Sequence, residues 1–300
     1  MRRRISADPD AGPTVATILV RRSMRRRYGS RAVPPVRDDR AAVVRLHNGC
    51  VHLATLNVRN TADRWMERRG LLARQLVDLA PDVMGVQELR MFPDQAGWIV
   101  REVERRSQGR LRYRVHRRAK TGPAGLWEGI GVLSRLPVVT SAWLDLGAQA
   151  RVAQRITVRL PGGGLFDVYN AHLGLGGEVL RSGQAQRILD WMVARPPLPA
   201  VLLGDLNTRP GSPTVELLSR SLRSAHLHVH GCEPLRTAPT PLRRHATGDG
   251  SVLDYVFVND LLDVDDAGIA FVDADPDDPG LIASDHYGLS VTVTPRATAD

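Results

Sequence analysis

The sequence predicts an α/β (α+β) fold: a four-layer sandwich of two packed mixed β-sheets flanked by helices. Two observations carry that expectation. Short apolar runs of strand length follow one another through most of the chain. Some of them are joined by tight turns and others by helices, which does not suit a strict β-α-β alternation. Sheets packed face to face with helices outside accommodate both kinds of connection. No internal repeat of solenoid period is present.

In order along the chain, residues 52–57 (HLATLN) read as a short buried strand. Asp63 can cap a helix running to about Leu79, with Met66, Leu71, Leu72, Leu76 and Leu79 at helical spacing and Pro81 closing it. Residues 83–87 form the second strand and 94–106 the second helix. Strand-like runs follow at 111–115, 129–134, 138–146 and 152–160. The glycines at 162–164 then turn the chain into 165–173, making a hairpin. A helix over 183–193 leads to a buried strand at 201–206. Residues 214–219 read as helix and 228–250 as loop, and the last strands fall at 252–258, 269–272 and 289–294.

Three hundred residues can bury a sizeable core, and 43% hydrophobic with 24% charged residues excludes a wholly disordered chain. The formal charge of +9 suggests a nucleic-acid binder until it is located. Residues 1–50 hold 12 arginines against four aspartates, a net of +8, while residues 51–300 carry only +1. The expected organisation is a basic, disordered extension over 1–45, one domain over 46–296 and a tail at 297–300. A nucleic-acid or membrane-surface arm is the alternative reading of the extension. Residues 15–20, its longest apolar stretch, fall far short of a membrane span. Cys50 and Cys232 cannot form a disulfide framework, and no C-x-x-C suggests zinc. Sparse cysteines and no recognisable signal segment point to the cytoplasm, with secretion as the alternative. The sequence does not specify an oligomeric state, and a monomer is the default expectation.

The candidate chemistry sits where strands stop. Asn57 ends the first strand and Glu88 follows the second. His172 lies late in the hairpin strand, and Asp205 and Asn207 close the strand at 201–206. Asp254 follows the long loop, and Asp285 and His286 precede the last strand. Short polar groups at strand ends can converge on one rim of a sandwich, and oxygen ligands gathered there suit a hard divalent cation such as Mg²⁺. Histidines beside them can handle protons near neutrality. Singly, each residue has a plain structural alternative: Asn57 and Asp254 as turn formers, Asp285 and His286 as a surface pair, His172 as a core histidine. The alternation His226, His228, His230 would place three imidazoles on one strand face, without a third ligand type nearby.

The segments Thr55-Leu56-Asn57, Val86-Gln87-Glu88, Tyr169-Asn170-Ala171-His172-Leu173, Gly204-Asp205-Leu206-Asn207, Leu253-Asp254-Tyr255 and Ser284-Asp285-His286-Tyr287 occur in that order. Together they resemble the endonuclease/exonuclease/phosphatase superfamily, the DNase-I-like phosphoesterases, over roughly residues 50–295. The resemblance implies Glu88 as principal metal ligand, supported by Asn57, with Asp285 beside the metal. It implies that Asp205 orients or deprotonates the attacking water and that Asn207 contacts the phosphate. By the same resemblance His286 contacts the scissile phosphate, Asp254 fixes its tautomer, and His172 pairs with a glutamate upstream, for which Glu128 stands at the comparable place. The implied cofactor is Mg²⁺, with Mn²⁺ an alternative. Phosphoester hydrolysis gathers negative charge, so the site must present positive and donor groups in advance.

The implied substrate is a phosphoester, with a nuclease ahead of a small-molecule or lipid phosphodiesterase or phosphatase (inositol-phosphate or sphingomyelin class). A non-catalytic phosphate-binding module is the reading from another class. Residues 101–120 carry nine basic and two acidic side chains and could track a phosphate backbone. Residues 260–285 carry nine aspartates and no lysine or arginine, which would repel a polyanion. The local question is which of the two stretches borders the cleft.

Overall fold

The computed structural model describes residues 49–243 and 249–296. The expected extension at 1–45 and tail at 297–300 lie outside the described residues, as does His245. Elements follow in the order β1 (Val51–Asn57), α1 (Trp65–Leu79), β2 (Val83–Arg90), α2 (Gln95–Arg106), β3 (Arg114–Ala119), β4 (Glu128–Ser134), β5 (Val138–Asp145), β6 (Val152–Arg159) and β7 (Leu165–His172). Then come α3 (Glu178–Val193), β8 (Ala200–Asp205), α4 (Pro213–Ser219), β9 (Arg223–Ser224), α5 (Ala225–His230), β10 (Asp254–Val258), β11 (Leu262–Ala270), β12 (Ala274–Asp275), β13 (Asp278–Ile282) and β14 (Gly288–Pro295).

One six-stranded sheet has the order β11-β14-β1-β2-β4-β3 and the other β5-β6-β7-β8-β10-β9, with β12-β13 as a separate hairpin. Each large sheet holds a parallel pair, β1 with β2 and β7 with β8, and each pair is bridged by a helix, α1 or α3. The neighbours β14, β4, β6 and β10 run antiparallel to these strands. Both sheets are therefore mixed, as the sequence predicts.

Strand alternation explains the layers. Leu53, Val83, Val201 and Leu203 point into the core between the sheets, with Ile156, Phe166, Val168 and Val291. Their neighbours point outwards: Ala54 and Met84 meet Leu72, Leu76 and Ile99 beneath α1 and α2. Leu202 likewise meets Ile188 and Leu218 beneath α3 and α4. Strands covered on both faces need apolar residues at every position, which is why runs such as VLL at 201–203 are continuous. A polar link crosses the core at Asn170: its amide on β7 donates to Val86 O and Gly131 O, and its oxygen accepts from Gln87.

Local differences from the sequence reading have physical causes. Asp63 does not cap α1; its carboxylate takes Arg59 Nε at 2.9 Å, and Arg64 stands at the cap position without a side-chain capping bond. The strand expected at 111–115 begins later, at Arg114, because Tyr113 turns inward to bond Pro81 O at 2.7 Å and the edge strand β3 is built of polar residues. Helix α3 begins five residues earlier than read, at Glu178, whose carboxylate is held by Thr208 and Thr214. The strand expected at 269–272 is the end of β11, an acidic edge strand paired with β14. The loop expected at 228–250 opens inside α5, which Gly231 closes in the left-handed conformation at φ 72°. The alternating histidines are thus helical. His226 and His230 lie against each other, tilted at 43° with centroids 4.4 Å apart, and bond the carbonyls of Cys232 and Ala267. Both cysteines are free. Among the described residues no helix is long and apolar enough to cross a membrane.

Candidate active site

Topology puts the candidate residues on one rim. The C-terminal ends of the parallel strands carry Asn57 (β1), Glu88 (β2), His172 (β7) and Asp205 (β8). The antiparallel neighbours begin at that same end: Asp254 opens β10 directly opposite Asp205, and Asp285 and His286 lead into β14 beside β1. These ends open onto a cleft of about 830 Å³ lined by Glu88, His172, Asp205, Asn207, Asp285 and His286.

Two backbone devices aim the side chains. The β2–β4 register shifts between Val86 and Leu89, and Glu88 sits in this bulge at φ 53°. Gln87 turns inward to Thr55 Oγ1 and Asn170 Oδ1, and Glu88 is released to the cleft. The second device is Gly204, at φ 138°, where a Cβ would lie 2.0 Å from Ala171 O on β7. Only glycine allows β8 to approach β7 that closely just before Asp205. Gly204→Ala is expected to destabilise the fold by about 2–4 kcal/mol. Denaturant unfolding checks this, and a loss under about 1 kcal/mol would show that the strands can part freely.

Asp205 is the centre of the set. Its Oδ2 accepts from Asn57 Nδ2 at 2.9 Å and faces His172 Nε2 at 3.4 Å and His286 Nε2 at 3.9 Å. Its Oδ1 accepts from the Asn207 backbone at 2.9 Å. Burial, reinforced by the nearby Asp254 charge, lifts the Asp205 carboxyl to about 7, against the pull of His286. His286 Nδ1 bonds Asp254 Oδ2 at 2.8 Å. Burial opposes charge on this imidazole, but Asp254 and Asp205 outweigh it and raise it to about 10. His286 is therefore a cation at neutral pH. His172 is the opposite case: burial first, then Arg151, holds it well below its usual value, so it is neutral.

Asn57 joins the two sheets as a donor, giving its amide hydrogens to Glu88 Oε1 at 3.1 Å and Asp205 Oδ2, while its oxygen accepts from Arg59 N. It positions carboxylates where the resemblance implied support for a metal. Glu88 accepts no other hydrogen bond among the described residues, and its carboxylate opens onto the cleft with that of Asp285. Two carboxylates of this kind are a hard-oxygen donor set, which fits Mg²⁺ or Mn²⁺ better than a softer ion. Asp254 Oδ1 is buried with no hydrogen-bond partner among the described residues. Asp205, Asp254 and His286 also lie close enough together to hold an ion. The Asp254–His286 bond at 2.8 Å, however, already engages His286 Nδ1 and Asp254 Oδ2 with each other.

Glu128 is the correction. It does not reach His172. Its carboxylate is taken by Lys120 in an ion pair and faces Arg151 NH1 at 4.0 Å. His172 Nδ1 has no hydrogen-bond partner among the described residues. The basic side chains of 101–120 provide Lys120 and Arg151 is close by, so a carboxylate at the β4 start finds a cation before it finds an imidazole. Asn207 is placed at the cleft in the left-handed conformation at φ 50°, with its amide donating to Leu173 O at 2.9 Å and a second amide hydrogen left for a ligand.

Sequence reasoning missed the arginines. Arg59, Arg151, Arg209 and Arg243 line the cleft, and Arg59 Nε and Arg243 NH1 face Asp285 Oδ2 at 3.4 and 3.9 Å. Neither long charged stretch borders it: of 260–285 only Asp285 lines the cleft, and of 101–120 no residue does. Arg68 is the second omission. Fully buried on α1, it donates to the carbonyls of Val58, Arg59, Asn60, Ala62, Asp63 and Ala283. One guanidinium thereby ties the loop after Asn57 to the segment before Asp285. Its position four and eight residues before Leu72 and Leu76, on the apolar face of α1, is the sequence signal that could have found it.

The profile of the Endonuclease/Exonuclease/phosphatase family matches residues 54–286. Among curated proteins no relative matches the sequence. The fold is similar to the catalytic domain of human nocturnin with bound sulfate (TM-score 0.66, 21% identity, covering 84% of this chain and 95% of that one). It is also similar to a mannosyl-6-phosphatase of Bacteroides thetaiotaomicron (TM-score 0.66, 19% identity, 81% and 99% covered). A further family protein from Bacteroides thetaiotaomicron gives a TM-score of 0.67 at 17% identity, with 83% and 98% covered.

Proposed function

The chain belongs to the endonuclease/exonuclease/phosphatase family, and from that premise we propose that it hydrolyses phosphodiester bonds of a nucleic acid with a divalent cation, Mg²⁺ or Mn²⁺. The observation that carries this reading is the meeting of a near-neutral Asp205 carboxyl with a protonated His286 in a cleft lined by four arginines. A base works best when its pKa lies near the operating pH, and Asp205 meets that condition. It takes the proton of the attacking water. His286, with Nδ1 tied to Asp254, turns Nε2 to the phosphoryl oxygens. Asn207 and Arg151 add fixed donors there, so charge developing in the transition state meets groups already in place. Glu88 and Asp285 would hold the divalent cation, which would supply Lewis-acid polarisation of the phosphoryl group. Neutral His172 stands beside Asp205 and leaves its charge uncontested.

A second reading, a small phosphomonoester, is favoured by the wall that Ala238, Pro239, Arg243 and Ser251 build along one side of the cleft. A substrate panel separates the two: plasmid and single-stranded DNA, abasic duplex, RNA, inositol phosphates and sphingomyelin, each with and without Mg²⁺. Metal-dependent cleavage of a nucleic acid above that of a Glu88→Ala/His286→Ala double variant is the expected result. Release of phosphate from monoesters alone would select the second reading. Equal rates for wild type and double variant on every substrate would remove the enzyme assignment.

A further inference from the structure

A second cavity of about 740 Å³ opens on the outer side of the β1-containing sheet, between the first turns of α1 and α2. Its wall is the pair Trp65 and Trp98, packed edge to face with ring centroids 5.7 Å apart. Around that wall stand Arg69, whose guanidinium lies 4.8 Å from the Trp98 ring centroid, with Arg90 and Arg101. Among the described residues none of these three arginines has a carboxylate partner. By contrast, Arg64 in the same cavity pairs with Glu67 and Asp278, and Asp94 on its rim is taken by Arg117. The local acids are thus already engaged, and the five cations exceed the three acids by two beside two half-buried indoles.

This cavity adjoins the cleft. The loop between β1 and α1 gives Arg59 to the cleft and Thr61 to the cavity, and β2 gives Glu88 to the one and Arg90 to the other. The ridge between them is braced: Asn60 donates to Trp127 O at 3.3 Å and accepts from Gln95 Nε2 at 2.6 Å. Trp127, 54% exposed, carries the Arg90 guanidinium at 4.8 Å from its ring centroid. A chain leaving the cleft over this ridge meets an aromatic ring and a guanidinium before reaching the cavity. Apolar ring wall and uncompensated cations together match a flat ring joined to an anion, which is the chemistry of a nucleotide. A lipid headgroup offers the anion without the ring.

We propose that this cavity binds a nucleotide of the substrate strand outside the scissile bond, its base against Trp65 and Trp98 and its phosphate on Arg90 and Arg101. The proposal rests on the hydrolase reading for its link to the cleft, but its test does not. The full chain is titrated with a fluorescent oligothymidylate in EDTA, so that binding is read without cleavage. Trp98→Ala and the exposed Arg101→Glu are each expected to weaken binding about tenfold or more, the usual scale for loss of one stacked base. Arg101→Glu should also lower the slope of log affinity against log salt by about one. With Mg²⁺, hydrolysis of bis(p-nitrophenyl) phosphate, too small to span both sites, should be unchanged in both variants.

Wild-type affinity in both variants would overturn the proposal. So would an abasic oligomer that binds as tightly as the thymidylate, or vesicles of phosphatidylserine bound through Arg101 in preference to the oligomer. If no phosphoester is hydrolysed by wild type while oligomer binding still depends on Trp98 and Arg101, the hydrolase reading fails and the nucleotide site stands. If hydrolysis is seen and the variants bind normally, only the nucleotide site is lost.

Discussion

Asp205→Asn is expected to lower kcat by about three orders of magnitude while leaving the protein folded and, above pH 7, at least as stable as wild type. General-base catalysis contributes roughly 10²–10⁴ to rate, and the amide cannot accept the proton of the attacking water. The stability half follows from linkage. The Asp205 carboxyl is raised from 3.8 to about 7, chiefly by burial. A group raised in the folded state contributes stability that is complete below its unfolded value and is lost as pH climbs through the folded one. Above pH 7 wild type therefore holds a buried carboxylate at a cost that asparagine does not bear. Asp254, at 2.8 Å, still stabilises the His286 proton in the variant. Thermal melts at pH 6 and pH 8 check the sign: the variant should gain on wild type between the two. A kcat within tenfold of wild type would remove Asp205 from the role of base.

The same residues set the pH profile. Activity should rise through about 7 as Asp205 loses its proton and fall through about 10 as His286 loses its own. With side chains this close, the two limbs belong to the pair. In Asp205→Asn the acid limb should flatten, and a limb that persists would belong to another group.

The largest loss of stability is expected for Arg68→Met, about 3–5 kcal/mol by denaturant unfolding. The substitution matches the volume of a buried side chain and strands six carbonyl oxygens that the guanidinium serves. The bonds to Val58 O and Ala283 O are buried and the other four part-buried; each buried acceptor left without a donor costs on the order of 1–3 kcal/mol, and water reaching the part-buried carbonyls keeps the total well below six such losses. Burial lowers Arg68 only to about 10, so it is charged at neutral pH and its bonds are of the stronger, charge-assisted kind. Because the carbonyls belong to the loop after Asn57 and to Ala283, the variant should also bind Mn²⁺ more weakly, through displacement of Asp285. A loss under about 1 kcal/mol with unchanged Mn²⁺ affinity would reduce Arg68 to ordinary packing.

Much of the layout is legible in the residues. The apolar run at 201–203 reads as a strand covered on both faces, and it is one. The polar groups at strand ends read as one rim, and Asn57, Glu88, His172, Asp205, Asn207, Asp254, Asp285 and His286 all come to it. Elements built of atypical residues were harder. Acidic β11 and arginine-rich β3 are edge strands, whose side chains face water and lose the alternation that marks a buried strand. Helix α5 shows the limit of period counting, since six residues with histidine at every second position fit a strand as well as a helical turn capped by Gly231.

Residue order alone places these chemical groups at strand ends, because alternation, turns and helix spacing are local properties of the chain. Which partners those groups meet is set by folding in three dimensions. Glu128 pairs with Lys120 in place of His172. Asp205 gathers Asn57, His172 and His286 around one oxygen. Arg59, Arg151, Arg209 and Arg243, scattered along the chain, line the cleft with His286, and no residue of the basic run at 101–120 does. Coulomb energy depends on distance through space and on burial, and neither can be counted along a sequence.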